Sequence, residues 1–233
     1  MTLTTVAVDR DVFADKRQKA AAMRDAWTRQ GTLVVNLVSS PGAGKTSLLQ
    51  AMARCWNGKY RMAVLVGDLA TDRDAERLRP FVPVQQLTTG GACHLELPLI
   101  ERGVSQLPQE RWDFLIIENI GNLVCPASHD LSEHLRVVLL STTEGDDKPG
   151  KYPKMFRTSQ AMVISKSDLL PWVPFSPEAA IQDARLIQPD LACLITSAQS
   201  GAGVLPWCQY LENARARLLG DQMSGASSCP TNG

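Results

Sequence analysis

Seven short apolar runs divide this chain: Leu33 to Val38, Met62 to Val66, Val84 to Leu87, Phe114 to Ile117, Val137 to Leu140, Met162 to Ile164 and Leu191 to Ile195. Apolar positions that mostly run on rather than alternate, broken by Asn36 in the first segment and by Gln85 and Gln86 in the third, predict strands covered on both faces. The segments around them read differently. Residues 9–30 are charged and alanine-rich, with Val12, Phe13, Ala20, Met23 and Trp27 at roughly helical spacing. This predicts an amphipathic helix packed beside the domain and ended at Gly31. Pro177 to Ile187 predicts a second helix. Val204 to about Leu219 predicts another, with apolar residues at 204, 205, 207, 208, 211, 214 and 218. Apolar strands alternating with amphipathic helices define an α/β chain, a mostly parallel sheet flanked by helices, with functional residues at the carboxyl ends of the strands. The expected division is an N-terminal helix over 1–31, one domain over 32–220 and a Gly/Ser-rich, disordered tail over 221–233. There is no internal repeat.

Composition narrows the function classes. The 233 residues carry 24 basic and 24 acidic side chains, so charge offers no case for nucleic acid or an anionic membrane as a partner. No apolar run approaches the roughly 18 residues that cross a bilayer. Met1 to Arg10 has no apolar core of the signal-peptide kind, and a cytoplasmic location is expected. The six cysteines, at 55, 93, 125, 193, 208 and 229, form no CxxC pair. In a reducing compartment they are expected to be buried residues or metal ligands rather than disulfides.

The candidate chemistry begins at Val35-Asn36-Leu37-Val38-Ser39-Ser40-Pro41-Gly42-Ala43-Gly44-Lys45-Thr46-Ser47-Leu48-Leu49. A strand turns through small residues and proline into a helix starting near Lys45, which builds a cradle for a polyphosphate. Pro41, Gly42, Ala43, Gly44 and Ser47 shape a loop whose backbone N–H groups are open to phosphate oxygens, and the helix N-terminus adds partial positive charge. Lys45 is expected to reach the β- and γ-phosphates and serve catalysis, and the Thr46 hydroxyl to ligate Mg²⁺. The first position of the usual pattern is Ser39 rather than glycine. Gly-Lys-Thr between a strand and a helix predicts a nucleoside triphosphate site, and with it a three-layer P-loop NTPase fold.

Two acids follow strands as such a site requires: Asp68, closing Val64-Leu65-Val66-Gly67-Asp68, and Glu118, in Leu115-Ile116-Ile117-Glu118. A hard cation held by Thr46 and phosphates needs one or two further oxygen partners, so Asp68 and Glu118 join Thr46 as Mg²⁺ candidates, Asp68 also as a catalytic candidate. Ile164-Ser165-Lys166-Ser167-Asp168 is the base-reading candidate. A carboxylate accepts from both N1–H and the exocyclic amine of guanine, so Asp168 selects GTP and GDP over adenine nucleotides. The Lys166 stem can lie along the purine face. Thr196-Ser197-Ala198 matches the small-residue loop that supports the base. The familiar signature begins with Asn where this chain has Ser165, and the missing amide is expected to weaken loop packing.

Cys93 and His94 follow a glycine turn in Thr89-Gly90-Gly91-Ala92-Cys93-His94, and Cys125 closes Asn119-Ile120-Gly121-Asn122-Leu123-Val124-Cys125. Thiolate and imidazole suit Zn²⁺ and Ni²⁺ better than Mg²⁺. Cysteine and histidine are also ordinary buried residues, so the residues alone allow either reading. Three ligands leave a tetrahedral ion incomplete, to be filled by water or by the same loop of a second subunit. His129 and His134 have no ligand-like neighbour in sequence and are expected to be structural or surface residues.

With these segments in view the chain resembles the hydrogenase nickel-incorporation GTPases, the HypB family, of the SIMIBI class of P-loop proteins. The resemblance is carried by Asn36 to Thr46, Gly67-Asp68 to Arg77, Thr89 to His94, Glu118 to Ser128 and Thr143-Glu144-Gly145-Asp146-Asp147-Lys148-Pro149 with Lys151-Tyr152-Pro153. It spans roughly residues 30 to 215. It implies slow GTP hydrolysis, a homodimer promoted by GTP and metal, and a metal bound between subunits by Cys93, His94 and Cys125. It also implies nickel delivery to the hydrogenase large subunit with the nickel chaperone HypA. Many members carry an N-terminal cysteine motif or a histidine-rich stretch. Met1 to Gln30 has neither, so nickel storage is not expected. The competing readings are the same kind of GTPase serving another nickel enzyme such as urease, whose family carries a Cys-Pro-His element absent here, a P-loop small-molecule kinase, and a non-hydrolysing metal-binding scaffold.

Overall fold

A computed structural model describes residues 9–68 and 73–226. Each predicted strand forms: β1 (Leu33–Ser39), β2 (Met62–Asp68), β3 (Val84–Thr88), β4 (Phe114–Gly121), β5 (Leu135–Ser141), β6 (Ala161–Ser165) and β7 (Ala192–Ile195). They make one sheet in the order β3-β2-β4-β1-β5-β6-β7, with every pairing parallel. The helices are α1 (Asp9–Gln30), α2 (Lys45–Trp56), α3 (Arg73–Leu78), α4 (Leu97–Gln106), α5 (Lys148–Lys151), α6 (Pro153–Arg157), α7 (Pro177–Ile187) and α8 (Val204–Ala226).

Strand alternation sorts the core into layers. Leu33, Val35 and Leu37 of β1 face a cluster with Leu48, Leu49 and Met52 of α2 and Trp207 and Leu211 of α8. Val34, one position over, faces the opposite layer with Trp27 of α1 and Ile100 of α4. Val38 joins Met155, Phe156 and Ala180, which brings α6 and α7 onto that same side of the sheet. With helices on both faces, the inner strands present little polar side, which explains their largely apolar runs; Gln85 and Gln86 fall in the edge strand β3, and Asn36 of β1 is buried against Asn119 and Glu133.

The helix over 9–30 ends as its sequence predicts. Gly31 sits at φ 72°, Gly31 N donates to Thr28 O at 2.8 Å and Thr32 N to Trp27 O at 3.0 Å. That pair of bonds satisfies the last carbonyls only if the residue after the helix is left-handed, which favours glycine. The side chains of Val12 and Phe13 lie outside the described residues.

Two elements outrun their sequence signals. β4 continues through Glu118 and Asn119 to Gly121 because both polar side chains find buried partners: Thr46 Oγ1 donates to Glu118 Oε1 at 2.8 Å, and Asn119 Nδ2 to Asn36 Oδ1 at 3.1 Å. α8 runs beyond Leu219 to Ala226, so the first residues of the expected tail are helical. Asp221, Gln222 and Met223 tolerate a helix, and the Gly/Ser-rich composition begins only at Ser224. Residues 227–233 lie outside the described residues, as do 1–8.

Candidate functional site

The site lies where β1, β2, β4 and β6 end on one edge of the sheet. Between β1 and α2 the chain turns through Gly42 at φ 71° and Gly44 at φ 95°, two left-handed positions that favour glycine. Gly44 caps α2 with no side-chain bond, leaving the first N–H groups of the helix for a ligand. Lys45 folds back so that Nζ donates to Ser39 Oγ at 2.9 Å. Ser39, at the position where the usual loop begins with glycine, thus supplies an acceptor for the lysine. Burial pulls the Lys45 amine below its ordinary pKa, opposed by the nearby charges of Glu118, Asp74, Glu144 and Asp68.

Glu118 is buried, and burial pushes its carboxyl up to about 7 although Lys45 and the Thr46 hydroxyl pull the other way. One oxygen takes the Thr46 bond. The other, Oε2, is buried with no hydrogen-bond partner among the described residues. A buried carboxylate oxygen without a donor is costly unless a cation meets it. Beside a threonine hydroxyl, at the end of a phosphate loop, this donor set fits Mg²⁺. Asp68, at the end of β2, is half-buried and close enough to Lys45 to act on its charge.

A cavity of about 420 Å³ opens next to the loop, lined by residues that include Gly44, Ser47, Lys166, Asp168 and Ala198. Lys166 is left-handed, at φ 57°. Its carbonyl accepts from Thr142 Oγ1 at 2.8 Å, and Ser167 N donates to Thr196 O at 3.0 Å. The Ser197 hydroxyl donates to Asp168, which joins the base-supporting loop to the carboxylate. Ser165 does not leave this loop slack: Oγ donates to Ala43 O at 2.7 Å and ties the base-reading segment directly to the phosphate loop. Arg54 and Arg77 also line the cavity, Arg77 Nη2 lying 3.4 Å from Ser47 Oγ. Neither arginine belongs to a binding motif in the sequence, since both come from helix faces whose direction no motif announces. A larger recess of about 620 Å³ lies at the other ends of the strands, near Leu33, Leu135 and His134, and contains none of the predicted site residues.

Cys93, His94 and Cys125 converge although two loops carry them, their ligating atoms within 4.8 Å of one another. Cys93 Sγ lies 2.9 Å from Cys125 Sγ, longer than a disulfide bond and short enough for two thiols to share one ion. The Cys93 thiol donates to Cys125, so Cys125 ionises more readily than an ordinary cysteine and Cys93 less readily. Asn122 bridges the loops, with Nδ2 on Cys93 O at 3.1 Å and Oδ1 accepting from Val124 N at 2.8 Å. Two thiols and an imidazole fit Zn²⁺ or Ni²⁺ and suit Mg²⁺ poorly. His134 is structural: Nδ1 accepts from Val34 N at 2.9 Å and Nε2 lies 2.9 Å from Thr28 Oγ1. His129 is not a remote structural or surface residue, for its ring stacks on His94 with centroids 3.8 Å apart. Sequence spacing hid this, because His129 follows Cys125 through a short 3₁₀ turn that folds back on the other loop.

A parallel sheet, a glycine loop leading into α2, a buried lysine and a strand-end acid define a P-loop nucleotide-binding domain. Residues 33–194 match the family described as CobW/HypB/UreG, nucleotide-binding domain. The chain belongs to that family. It is 41% identical over 213 residues to the hydrogenase maturation factor HypB of Azotobacter vinelandii, covering 91% of this chain and 70% of the relative. Against the HypB of Escherichia coli K12 it is 42% identical over 209 residues, 89% of this chain and 72% of that one. The crystal structure of HypB from Helicobacter pylori in complex with nickel superposes with a TM-score of 0.83 at 38% identity, over 87% of this chain and 96% of that one. HypB from Archaeoglobus fulgidus gives 0.80 at 33% identity, over 87% and 99%.

Proposed function

We propose that this chain is a GTP-hydrolysing switch that carries nickel to a hydrogenase during its maturation. In this reading the N–H groups of Gly42, Ala43, Gly44 and Lys45 and the Lys45 ammonium hold the triphosphate, with Pro41 and Ser47 shaping the loop. Thr46, Glu118 and Asp68 would hold Mg²⁺, which would supply neutralisation of the phosphate charge. Lys45 is aimed at the β- and γ-phosphates, where charge develops as the terminal phosphoryl group leaves. Asp168 accepts from guanine, supported by Ser197 and Ala198, and the Lys166 stem covers the base. The cargo, Ni²⁺ or Zn²⁺, is taken by Cys93, His94 and Cys125. A homodimer with that site at its interface, HypA as nickel donor, the hydrogenase large subunit as recipient and a cytoplasmic location complete the reading.

The observation that carries it is the path from Thr46 to Cys125. Glu118 receives the Thr46 hydroxyl, and Cys125 follows seven residues later on the same strand and its turn. Gly121 lies between them, packed so closely on Pro41 that a Cβ added there would meet Pro41 Cα at 2.8 Å. A change in the phosphate loop therefore has a short, rigid route to a metal ligand. Binding linkage makes the coupling reciprocal. The full chain should bind Ni²⁺ with affinities differing about 5-fold or more between GDP and a non-hydrolysable GTP analogue. Cys93→Ala, His94→Ala and Cys125→Ala should each lose the tight, nucleotide-dependent binding, and wild-type binding should weaken in acid because the thiols must ionise. Equal affinity with both nucleotides, or unchanged metal binding in all three variants, overturns the switch.

A second client has its own support. The hydrogenase/urease maturation factor HypB of Helicobacter hepaticus is 39% identical over 211 residues, covering 88% of this chain and 86% of that protein. Urease therefore stands beside hydrogenase as a recipient, separable by adding either apo-enzyme to the nickel-loaded protein.

A further inference from the structure

Beside the Cys93–Cys125 pair lies a second convergence of ligating atoms that the cargo site does not use. His94, Glu96 and His129 bring two imidazole nitrogens and a carboxylate oxygen within 4.8 Å of one another. The two rings are stacked, 21° from parallel. Glu96 Oε1 lies 3.7 Å from Nε2 of His94, whereas Cys93 Sγ approaches the other ring nitrogen, Nδ1, at 3.9 Å. His94 thus turns one nitrogen to the thiols and the other to the carboxylate. Ligands about 2.0–2.1 Å from a tetrahedral ion stand roughly 3.3 Å apart, and stacked rings hold their in-plane lone pairs side by side, so closing on a cation requires one ring to turn out of the stack as the cluster contracts.

Both halves of the cluster are held. Arg136 donates from Nη2 to His129 O at 2.6 Å and from Nη1 to Ala127 O at 3.3 Å, and its guanidinium is itself held by Glu133 at 2.7 Å. The Cys93 side is tied across by Asn122. Lys16 Nζ of α1, 3.8 Å from Glu96 Oε1, competes for the carboxylate.

We propose that His94, Glu96 and His129 form a second divalent-cation position that shares His94 with the thiolate site and alternates with it. The proposal rests on the reading of Cys93, His94 and Cys125 as cargo ligands. A neutral imidazole offers one lone pair, because its other nitrogen carries the proton. Ligation through Nδ1 and ligation through Nε2 therefore exclude each other. Passage from the thiolates to the second position moves the imidazole proton from Nε2 to Nδ1 through solvent, and the vacated thiolates take up protons from solvent as they return to thiols. Two thiolates neutralise a divalent ion. Two imidazoles and one carboxylate leave it a unit of positive charge, and they replace soft sulfur with borderline nitrogen and hard oxygen. The second position is the weaker one, and with Glu96 exposed it is the one from which an acceptor can take nickel.

The test titrates Ni²⁺ alone into the full chain, without oxygen, following heat and the thiolate-to-nickel charge-transfer absorption. Wild type should show the absorption, and His129→Phe should keep it. Cys93→Ser/Cys125→Ser should lose the absorption yet still take up one Ni²⁺ per chain, 10-fold to 1,000-fold more weakly. Adding His129→Phe or Glu96→Gln to that double variant should weaken uptake at least a further 10-fold, with far-UV circular dichroism unchanged. A folded double variant that binds no Ni²⁺, or binds it equally well with and without His129→Phe, overturns the second position. A wild type lacking the charge-transfer absorption overturns the cargo site instead, and with it the sharing of His94.

Discussion

In the proposed reading, the single carboxylate of Asp168 decides which nucleotide is admitted. Its partner in the folded chain is the Ser197 hydroxyl, and Ser167 N and the Thr142 hydroxyl hold the backbone around it. Asp168→Asn should weaken GTP by about 1.5–3 kcal/mol, the usual worth of a hydrogen bond to a charged group. The same change should improve xanthosine triphosphate, whose carbonyl, standing where guanine has its amine, accepts from the new amide. Competition titrations against both nucleotides check it, and an unchanged preference would remove Asp168 from base reading. Ser165 shows how residue-scale inference from a motif can mislead. The motif favours an amide, but a hydroxyl that reaches Ala43 O at 2.7 Å keeps the same two loops together.

Among the elements, β4 is the one that connects the two proposed chemistries. It passes Glu118 under Thr46 and Gly121 against Pro41, and its following turn carries Cys125. Gly121→Ala would place a Cβ 2.8 Å from Pro41 Cα and 2.9 Å from Pro41 N, backbone atoms that cannot step aside. Overpacking of this kind costs about 1–3 kcal/mol. The cost should appear as weaker GTP binding, a lower unfolding midpoint, or both, and a variant unchanged in Kd and Tm would show that β4 and the loop move independently. The apolar start of this strand was legible in the sequence. Its polar end was not, because Glu118 and Asn119 look like a strand terminus until Thr46 and Asn36 are placed beside them.

Across the whole molecule, one buried and one half-buried group make stability depend on pH with opposite signs. Burial holds His134 down to about 4, with Arg24 adding to the shift. As pH falls below about 6.5, the unfolded imidazole binds a proton that the folded one refuses until about 4, so this stability is lost on acidification. Glu118, pushed up to about 7, favours the fold at low pH and loses that contribution as pH rises from the ordinary carboxylate range through 7. The two overlap, so total stability does not separate them, but a variant does. His134→Asn should remove up to about 2 kcal/mol of the stability difference between pH 7 and pH 4.5, allowing for the partial exposure of the ring. Denaturant midpoints at the two values measure it, and equal losses in wild type and variant would assign the pH dependence elsewhere.

The sequence by itself determined the local pieces: the seven strands, the Gly31 stop, the phosphate loop and the segment around Asp168. Each is written in contiguous residues, as apolar runs, a glycine forced left-handed, or a strand turning directly into a helix. Tertiary structure alone decided what those pieces meet. Thr46 and Glu118 are 72 residues apart and Cys93 and Cys125 are 32 apart, and no periodicity records that parallel strands bring their carboxyl ends together. In the sequence His129 looks like a bystander for the same reason. Only the fold of its turn, held by Arg136 from the start of β5, lays that ring on His94.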